Sequence, residues 1–393
     1  MNKPRVVFAY TEAGLGHTMP MNSIADKFEE LYGDKVECVR SQFFTESEHA
    51  KLIEFEEKLK NNVVKSNNST AYGFWLTLNM EFWGEKIGSW ATMTCLVPGA
   101  RKPAIEHVEE LRPDMVVCTH WAPNYFAKKS SANPLTVMYC PDIVVNPLFR
   151  YPCDLALVSN EAGYNRARKH HPVRFNDDNF KQVPFLIREE AFAVSTDKIE
   201  TRKKLGIPEY QLTVLLAEGG YGIGKMEEIC NIVLERDLPV TLLAVCGKNE
   251  KLYERFRQLK SKGKCCFRPM GLVDNFFELL VASDVFCGKS GANVSGEACF
   301  FGVPHIITKY ATTIEKNIGK YYIENVGNAM KIFKPEKVAD KLAEILRDPE
   351  ILTPYVLAAK KQRTQYGATR CAEYIFNLLC TRFPELKNSS EKN

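Results

Sequence analysis

The segment at residues 284–304, DVFCGKSGANVSGEACFFGVP, constrains the fold of this chain most strongly. The apolar run 284–287 predicts a short buried strand, and the glycine-rich turn 288–292 predicts the start of a helix. The first amides of a helix have no partner within it, and its N-terminus carries a positive partial charge. The segment therefore predicts a binding site for an anion such as a diphosphate. Glu297, one helical turn farther on, is placed to accept hydrogen bonds from ribose hydroxyl groups.

Length and composition indicate a large globular protein of two domains. The chain has 393 residues, of which 45% are hydrophobic and 25% charged, and domains of roughly 150 to 200 residues are the usual size. Nothing resembles a signal peptide, and no apolar run approaches the length of about 18 residues that crosses a bilayer. We therefore expect a cytoplasmic protein whose membrane contact, if any, is peripheral, at the inner face of the membrane.

Charge and cysteine spacing argue against nucleic-acid binding and against a metal site. The net charge is only +4, so no nucleic-acid partner is predicted. Residues 1–190 carry 22 basic against 24 acidic side chains, and the remainder 30 against 24. This basic excess fits either a phosphate-binding C-terminal domain or a solvated surface. The 13 cysteines show no CxxC spacing, so we expect reduced cysteines in the core and no metal site.

Predicted strands and helices alternate in both halves of the chain, which indicates parallel sheets covered on both faces. The polar segment 183–208, which lies between two prolines and contains no strand, predicts the boundary. The fold class is thus α/β, with two Rossmann-like, doubly wound domains facing across a cleft. We assign residues 1–190 to an acceptor-binding domain, 191–353 to a nucleotide-binding domain, and 354–393 to C-terminal helices that cross back to the first domain and end in a frayed tail.

Five blocks in this order resemble the GT-B glycosyltransferases. Within that fold they are most similar to the monogalactosyldiacylglycerol synthases, the processive diacylglycerol glucosyltransferases and the peptidoglycan GlcNAc transferase. The blocks are GLGH at 14–17, RPDMVVCTHWAP at 112–123, YCPDIV at 139–144, EGGYGIG at 218–224 and MGLVDNFFELLVASDVFCGKSGANVSGEACFFGVP at 270–304. The resemblance implies a UDP-sugar donor, bound without a metal ion or cofactor because helix dipoles and amides neutralise the departing diphosphate.

The resemblance places the acceptor in the N-terminal domain. It implies that His17, after the first glycine turn, positions the acceptor or the departing phosphate. Asp142, at the end of a strand, is expected to be the base that removes the proton of the acceptor hydroxyl. Glu12 and His120 are alternatives for the base, and His120 is also a candidate acceptor residue.

The donor is expected in the C-terminal domain. Backbone amides of the second glycine turn and of the helix start would hold the diphosphate, residues after a preceding strand would contact the base, and Glu297 would hold the ribose. The predicted donor residues are Gly219, Gly220, Gly222, Gly271, Leu272, Lys289, Ser290, Gly291, Ala292, Asn293, Glu297 and Glu315.

Two positions depart from the family's pattern. Relatives commonly carry glutamine and glutamate where this chain has Ile314 and Glu315. Because isoleucine forms no hydrogen bond to a sugar, the departure leaves the donor hexose, and activity itself, open. Relatives often carry glycine at the position of Glu218, whose carboxylate we expect to point away from phosphate.

An aromatic segment at residues 71–99 contains three of the four tryptophans, Trp75, Trp83 and Trp90. In the resembled enzymes this region faces the membrane and the acylated acceptor, and aromatic rings favour the bilayer interface. Large apolar residues at helical spacing fit a core helix equally well. Few basic residues accompany the tryptophans, so electrostatic docking by this segment is not predicted.

The resemblance implies an inverting glycosyltransferase that moves a hexose from a UDP-sugar to a lipid hydroxyl, with diacylglycerol as the expected acceptor, at a peripheral membrane surface. Three alternatives stay open: transfer to a polyprenyl-linked or soluble acceptor, epimerisation of a UDP-sugar, and an inactive subunit that binds a sugar nucleotide.

Overall fold

The computed structural model describes residues 3–11, 15–69, 75, 85–143, 145, 147–171, 174–219, 224–363 and 366–388. The chain divides into two compact units. Unit 1 comprises Met1–Glu189 and Gly367–Asn393, and unit 2 comprises Glu190–Tyr366. The sequence predicts the boundary between residues 190 and 191 and the C-terminal segment from 354, whereas the units divide before Glu190 and after Tyr366.

Unit 1 is built on a six-stranded parallel sheet in the order β2-β1-β3-β4-β5-β6. The central strands β1, β3, β4 and β5 consist almost entirely of buried apolar residues, as is typical of a parallel sheet covered on both faces. The strand bounds are Arg5–Tyr10 (β1), Glu37–Gln42 (β2), Met115–Cys118 (β3), Leu135–Cys140 (β4), Leu155–Val158 (β5) and Phe180–Gln182 (β6).

Helices connect these strands and cover the sheet. A short 3₁₀ turn, Pro147–Arg150, follows β4 and packs against the helix Glu85–Cys95. The helices are Leu15–Tyr32 (α1), Ala50–Asn68 (α2), Glu85–Cys95 (α3), Arg101–Leu111 (α4), Trp121–Ala127 (α5) and Glu161–His170 (α6).

Unit 2 repeats the plan with a second parallel sheet in the order β12-β11-β10-β7-β8-β9. Strands β10 and β7 lie at its centre, and together with β8 they contribute many of the buried core residues. The strand bounds are Leu212–Ala217 (β7), Val240–Val245 (β8), Cys266–Met270 (β9), Val285–Lys289 (β10), His305–Lys309 (β11) and Ala329–Lys331 (β12).

The helices of unit 2 follow the same alternation. They are Glu190–Ala193 (α7), Lys198–Lys204 (α8), Met226–Glu235 (α9), Glu250–Gln258 (α10), Phe276–Ala282 (α11), Ala292–Phe300 (α12), Thr313–Lys320 (α13), Pro335–Arg347 (α14) and Thr353–Gln362 (α15), with a π-helical turn at Tyr321–Val326 and a 3₁₀ turn at Pro349–Leu352.

The last two helices, Thr369–Arg382 (α16) and Glu385–Asn388 (α17), belong to unit 1. Helix α16 packs on α1, where the rings of Tyr32 and Phe376 stack with centroids 3.9 Å apart. Buried residues of α16 such as Ile375 and Leu379 complete one face of the first sheet. The chain therefore contributes to unit 1 from both of its ends.

The predicted fold class is confirmed in its α/β character and its two doubly wound sheets. Strands β6 and β12 were not predicted, because each has only three residues, FKQ and AMK, with one buried side chain apiece. Among the described residues, no helix is long and apolar enough to cross a membrane.

Candidate functional site

Most of the predicted donor residues that the structure describes lie where β7, β10 and β11 of unit 2 end. These three strands are neighbours in the sheet, and the carboxyl ends of parallel strands form one edge, where α/β proteins bind ligands. No side chain fits at Gly288 on β10, because a Cβ there would lie 2.2 Å from the Ala217 carbonyl oxygen. The sheet is thus closed tightly just below the edge.

The N-terminus of α12 offers backbone amides at this edge. Gly291 occupies the cap position with extended backbone, and no side chain there hydrogen-bonds to the first turn. A Cβ on Gly291 would contact only Val294 Cγ1, at 3.5 Å. Ala292 and Asn293 form the first turn. With nine residues and no side-chain cap, α12 presents its dipole and its first amides to whatever binds in front of it.

An ion pair lies beside this helix start. Lys289 Nζ is 3.4 Å from Glu315 Oε1, and both side chains are only 13% exposed. The Ser290 hydroxyl, fully buried, donates to the Glu315 carbonyl oxygen at 2.8 Å. The ends of β10 and β11 are therefore tied together through Glu315, and one cation is held at the edge.

Glu315 also caps the helix on which it lies. Its amide donates to Thr312 Oγ1 at 3.1 Å, and its Oε2 accepts from the Ala311 amide at 2.6 Å. This is a variant of the capping box that the Thr-x-x-Glu pattern at 312–315 encodes. The sequence contains this capping signal, although it predicts Glu315 as a sugar ligand through the family resemblance alone. The structure gives it a local structural role as well.

Glu218 lies inside unit 2 and closes the second glycine turn. Its side chain is 2% exposed, and Oε1 accepts from the Lys225 amide at 2.9 Å and from Thr308 Oγ1 at 3.1 Å. Among the residues that the structure describes, none hydrogen-bonds to Oε2. Burial raises the pKa of this carboxyl, opposed by those two hydrogen bonds and by the nearby Lys289 and Lys309. A Cβ on Gly224 would overlap Oε2.

Other predicted donor residues lie around the turn and at the far strand. Gly219 is exposed and has φ of +73°, a conformation that favours glycine. Gly220 and Gly222 lie outside the described residues. Gly271 and Leu272 follow β9, three strand spacings or roughly 14 Å from β10. The Leu272 side chain is 68% exposed, so these two residues are not brought against the Lys289–Glu315 pair.

Glu297 lies on the second turn of α12 and is buried, at 8% exposure. Its neighbours from Ser295 to Phe300 are buried as well. A carboxylate there faces the protein side of the helix start and not the open solvent. Its role as a ribose ligand stays a prediction.

In unit 1, the carboxyl ends of β1, β3 and β4 carry the predicted acceptor residues. His17 lies in the first turn of α1, and its Nδ1 donates to the Thr119 carbonyl oxygen at 2.7 Å, while the Thr119 hydroxyl donates to the His17 carbonyl oxygen at 2.7 Å. A carbonyl only accepts, so Nδ1 carries the proton and Nε2 keeps its lone pair. Burial lowers the pKa of His17. The imidazole is therefore neutral near pH 7, with Nε2 able to accept a hydrogen bond.

His120 presents the complementary tautomer. It caps α5, and its Nδ1 accepts from the Ala122 amide at 3.2 Å, so its Nε2 carries the hydrogen. Burial, with a further effect of His17, lowers the pKa of His120 far below 6.5. The two rings meet edge to face with centroids 4.8 Å apart. The edge thus contains one imidazole acceptor and one imidazole donor, both uncharged.

Asp142 lies two residues beyond β4, half-buried. The Cys140 thiol donates to the Asp142 carbonyl oxygen at 3.9 Å. Phe149, from the 3₁₀ turn, stacks on His17 with centroids 6.3 Å apart. Asp142, His17 and His120 therefore belong to three adjacent strand ends of one sheet. Glu12 lies outside the described residues.

The aromatic segment is described only in part. Trp75 is 59% exposed, and on α3 Trp90 is 51% and Ile87 59% exposed. Ser89 and Met93, on the opposite side of α3, are buried, so this helix has one core face and one exposed apolar face. Trp83 lies outside the described residues.

The described residues contain no group of three or more His, Cys, Asp or Glu side chains arranged to hold a metal ion. The cysteines in this part of the chain are all unpaired thiols, most of them buried.

Sequence comparison relates the chain to enzymes of lipid glycosylation. It is 28% identical over 162 residues to a processive diacylglycerol beta-glucosyltransferase of Bacillus pumilus, a match that covers 41% of this chain and 42% of the relative. It is 31% identical over 155 residues to a probable monogalactosyldiacylglycerol synthase of Nicotiana tabacum, covering 37% and 28%. Both matches span less than half of the relative's length. No family model matches the chain.

Solved structures match over nearly the whole chain at low sequence identity. The MurG protein of Acinetobacter baumannii superposes with a TM-score of 0.58 and 12% identity, covering 96% of this chain and 99% of that one. A co-structure of Staphylococcus aureus MnaA with UDP gives a TM-score of 0.60 and 14% identity, covering 98% and 97%. The chain has the GT-B fold. The predicted resemblance to lipid-linked glycosyltransferases is confirmed at the level of sequence relatives and of fold.

Proposed function

We propose that this protein is an inverting glycosyltransferase that transfers a hexose from a UDP-sugar to the hydroxyl group of a membrane lipid, with diacylglycerol as the acceptor. The observation that carries the proposal is the edge of the second sheet. There the N-terminus of α12, which has no side-chain cap, and Lys289, whose side chain is 13% exposed, provide amides and a cation for a diphosphate. The sequence relatives named for diacylglycerol support the choice of acceptor.

The donor is assigned to unit 2. The first amides of α12 and the dipole behind them stabilise the phosphate charge that grows as the bond from the diphosphate to the sugar breaks. Lys289 adds a positive charge while Glu315 holds its side chain in place. Glu297 accepts the ribose hydroxyls, and the backbone at Gly271 and Leu272 contacts the base. The named UDP complex of a protein with this fold agrees with that assignment.

The acceptor and the base are assigned to unit 1. In one displacement the acceptor oxygen attacks the anomeric carbon, the bond from that carbon to the diphosphate oxygen breaks, and UDP leaves with the electron pair. Asp142 takes the hydroxyl proton. His17, through Nε2, accepts a hydrogen bond that orients the acceptor, and His120 donates one from its own Nε2. Two neutral imidazoles do this without adding charge beside the reacting hydroxyl.

The exposed apolar face of α3 and Trp75 are assigned to the lipid chains. Tryptophan rings favour the boundary between headgroups and acyl chains. The protein is accordingly proposed to work as a peripheral membrane protein at the inner face of the membrane, and no metal ion or cofactor is assigned to the reaction.

A UDP-release assay tests the proposal. The protein is incubated with UDP-glucose or UDP-galactose, with and without vesicles that contain diacylglycerol, and the lipids are extracted. We expect UDP release that depends on the vesicles and a β-linked glycolipid with one of the donors. Asp142→Asn serves as the matched inactive variant.

Each other outcome identifies a different function. If UDP is released without diacylglycerol vesicles once a soluble or polyprenyl-linked compound is added, that compound and not diacylglycerol is the acceptor. An isomer of the sugar nucleotide formed from donor alone identifies an epimerase, an activity named among the structural neighbours. UDP binding with no turnover across donors identifies an inactive subunit. Calorimetry that detects no UDP binding refutes the donor site itself.

A further inference from the structure

Beyond β11 and β12, the surface of unit 2 carries lysines grouped around two aromatic rings. Tyr310 follows β11 and Phe333 follows β12, and their rings meet edge to face with centroids 4.9 Å apart. Lys331 Nζ lies 5.5 Å from the centre of the Phe333 ring, and Lys334 is its neighbour in the chain. Helix α13 packs on this pair, since a Cβ on Gly319 would lie 2.5 Å from the Tyr310 ring.

Helix α13 adds a further lysine to the same surface. Lys316 lies three residues before Gly319, which places the two on one face of the helix. We name the set of Tyr310, Lys316, Lys331, Phe333 and Lys334 the Tyr310–Phe333 patch. Its three lysines are exposed, and Phe333 is 40% exposed.

The patch is strongly cationic. None of the three lysines of the patch forms an ion pair with a described residue. The same holds for Lys309 and Lys320, which lie at the border of the patch. Glu324 also borders it, close enough to add to the rise in the pKa of Tyr310 that burial causes, and Glu315 and Glu336 are near Lys316 and Lys334 in the chain. Grouped lysines repel one another and gain free energy from a surface of opposite charge. The patch is therefore suited to bind an anionic partner.

Composition favours a lipid surface over a nucleic acid. Residues 309–334 contain five lysines and no arginine, whereas planar arginine side chains are favoured for nucleic-acid recognition. Lysines distributed around one exposed aromatic ring, that of Phe333, fit a diffuse layer of headgroup phosphates, with the ring at the interface. Since only one large apolar side chain of the patch is substantially exposed, charge and not insertion should dominate the binding.

We propose that the Tyr310–Phe333 patch docks unit 2 onto an anionic phospholipid bilayer. The inference rests on the proposed function, because a lipid acceptor requires the enzyme to work at a membrane. It adds a separate electrostatic contact, in the unit assigned to the donor, to the aromatic contact assigned to unit 1. The strength of docking then depends on the anionic lipid content of the membrane as well as on the acceptor.

Vesicle sedimentation tests the docking. The full chain is mixed with phosphatidylcholine vesicles that contain either no phosphatidylglycerol or about one third of it. We expect binding to the anionic vesicles that weakens as salt is added. Replacing Lys316, Lys331 and Lys334 together by Gln should weaken that binding about fivefold for each lysine, or about 100-fold in all.

A matched variant separates the patch from net charge. Lys248, Lys251 and Lys260 are exposed lysines of the same unit, for which the described part of the chain contains no ion pair. Replacing them by Gln makes the same change in charge and should leave vesicle binding within about twofold of wild type. Phe333→Gln should weaken binding by a smaller factor that salt does not change. Thermal unfolding establishes that each variant is folded.

Two results overturn the inference. Equal losses in the patch variant and in the matched variant assign binding to overall charge. Normal vesicle binding by the patch variant, with lost binding to homopolymeric RNA, assigns the patch to a nucleic acid. Calorimetry with UDP keeps this outcome distinct from the proposed function, because the patch variant should bind UDP as wild type does, and failure of wild type to bind UDP refutes the donor site alone.

Discussion

The strand-end edges of the two sheets are built from opposite kinds of polar group. In unit 1, the edge holds two uncharged imidazoles, His17 and His120, kept neutral by burial. In unit 2, the edge holds a paired charge, Lys289 with Glu315, and a buried carboxyl, Glu218, with backbone amides between them. Both edges occupy the same place in the same kind of sheet.

The difference shows how one architecture serves two tasks. A neutral imidazole with a fixed tautomer accepts or donates one hydrogen bond in a known direction, which suits the positioning of a hydroxyl group. Amides, a helix dipole and an ion-paired lysine favour a large anion and change little when it leaves. The comparison therefore predicts that substitutions in unit 1 change turnover, while those in unit 2 change nucleotide affinity or stability.

Asp142→Asn should give the largest effect. If Asp142 is the base, kcat should fall by about 10²- to 10⁴-fold, because an amide does not take the hydroxyl proton. The UDP affinity measured by calorimetry should be unchanged. The same measurements on His17→Gln, which removes the imidazole lone pair but no charge, should give a smaller loss. A larger loss in His17→Gln, with kcat losing its dependence on pH, would transfer the role of base to His17.

A second prediction concerns acid stability, where His305 is the comparison in unit 2. It is fully buried on β11, and burial lowers its pKa from 6.5 to about 3. Between about pH 3 and 6.5 the unfolded chain binds the extra proton and the folded chain does not, so stability falls as pH falls through this window. The slope from this one group approaches about 1.4 kcal/mol per pH unit.

His305→Leu should flatten that dependence. Urea unfolding at several pH values between 5 and 7 measures the slope in wild type and variant. His17→Gln is the matched variant in unit 1, since burial lowers the pKa of that histidine in the same direction. An unchanged slope in His305→Leu would show that His305 is protonated in the folded protein or that other groups set the acid sensitivity.

A third prediction tests the closure of the glycine turn by Glu218. Gly224→Ala places a Cβ on top of the buried carboxylate, which must move and break its hydrogen bonds to Lys225 and Thr308. We expect a loss of about 1 to 3 kcal/mol in the free energy of unfolding and weaker UDP binding.

The double variant Glu218→Ala with Gly224→Ala provides the control. Removing the carboxylate vacates the space that the new methyl group requires. The double variant should therefore lose less free energy of unfolding than the two single variants lose together. Additive losses, measured by urea unfolding, would mean that the two positions do not contact each other and that the turn is held in another way.

Whether a feature of the fold or the site could be predicted from the sequence depends on how far apart in the chain its residues lie. The buried strands β1, β7, β8 and β10 and their glycine turns could be predicted, because parallel strands are continuous apolar runs followed by turn residues. The order Lys289, Ser290, Gly291 gave the helix start directly. The Thr312-x-x-Glu315 cap is also encoded locally, by the spacing of a threonine and a glutamate.

The remaining features join residues far apart in sequence. The tautomer of His17 is set by Thr119, 102 positions away, and Glu218 is held by Thr308, 90 positions away. No local pattern encodes such pairs, because they follow from the order of strands in the sheet. The residue types at the site were therefore predictable, whereas their protonation and mutual support were not.

The smallest expected effect comes from Ile314, the departure from the family's pattern beside Glu315. Ile314 is 37% exposed on the first turn of α13, so Ile314→Gln should change stability by less than about 0.5 kcal/mol. The new amide would add one hydrogen bond to a donor hydroxyl, and one such bond is worth about fivefold in kcat/KM. UDP-release rates with UDP-glucose and UDP-galactose should therefore diverge in this variant.

The control is Ile314→Met, which adds no polar group and should leave the ratio of the two rates unchanged. If both donors respond equally to Ile314→Gln, the side chain at 314 does not contact the sugar, and the choice of donor lies elsewhere on the edge of unit 2.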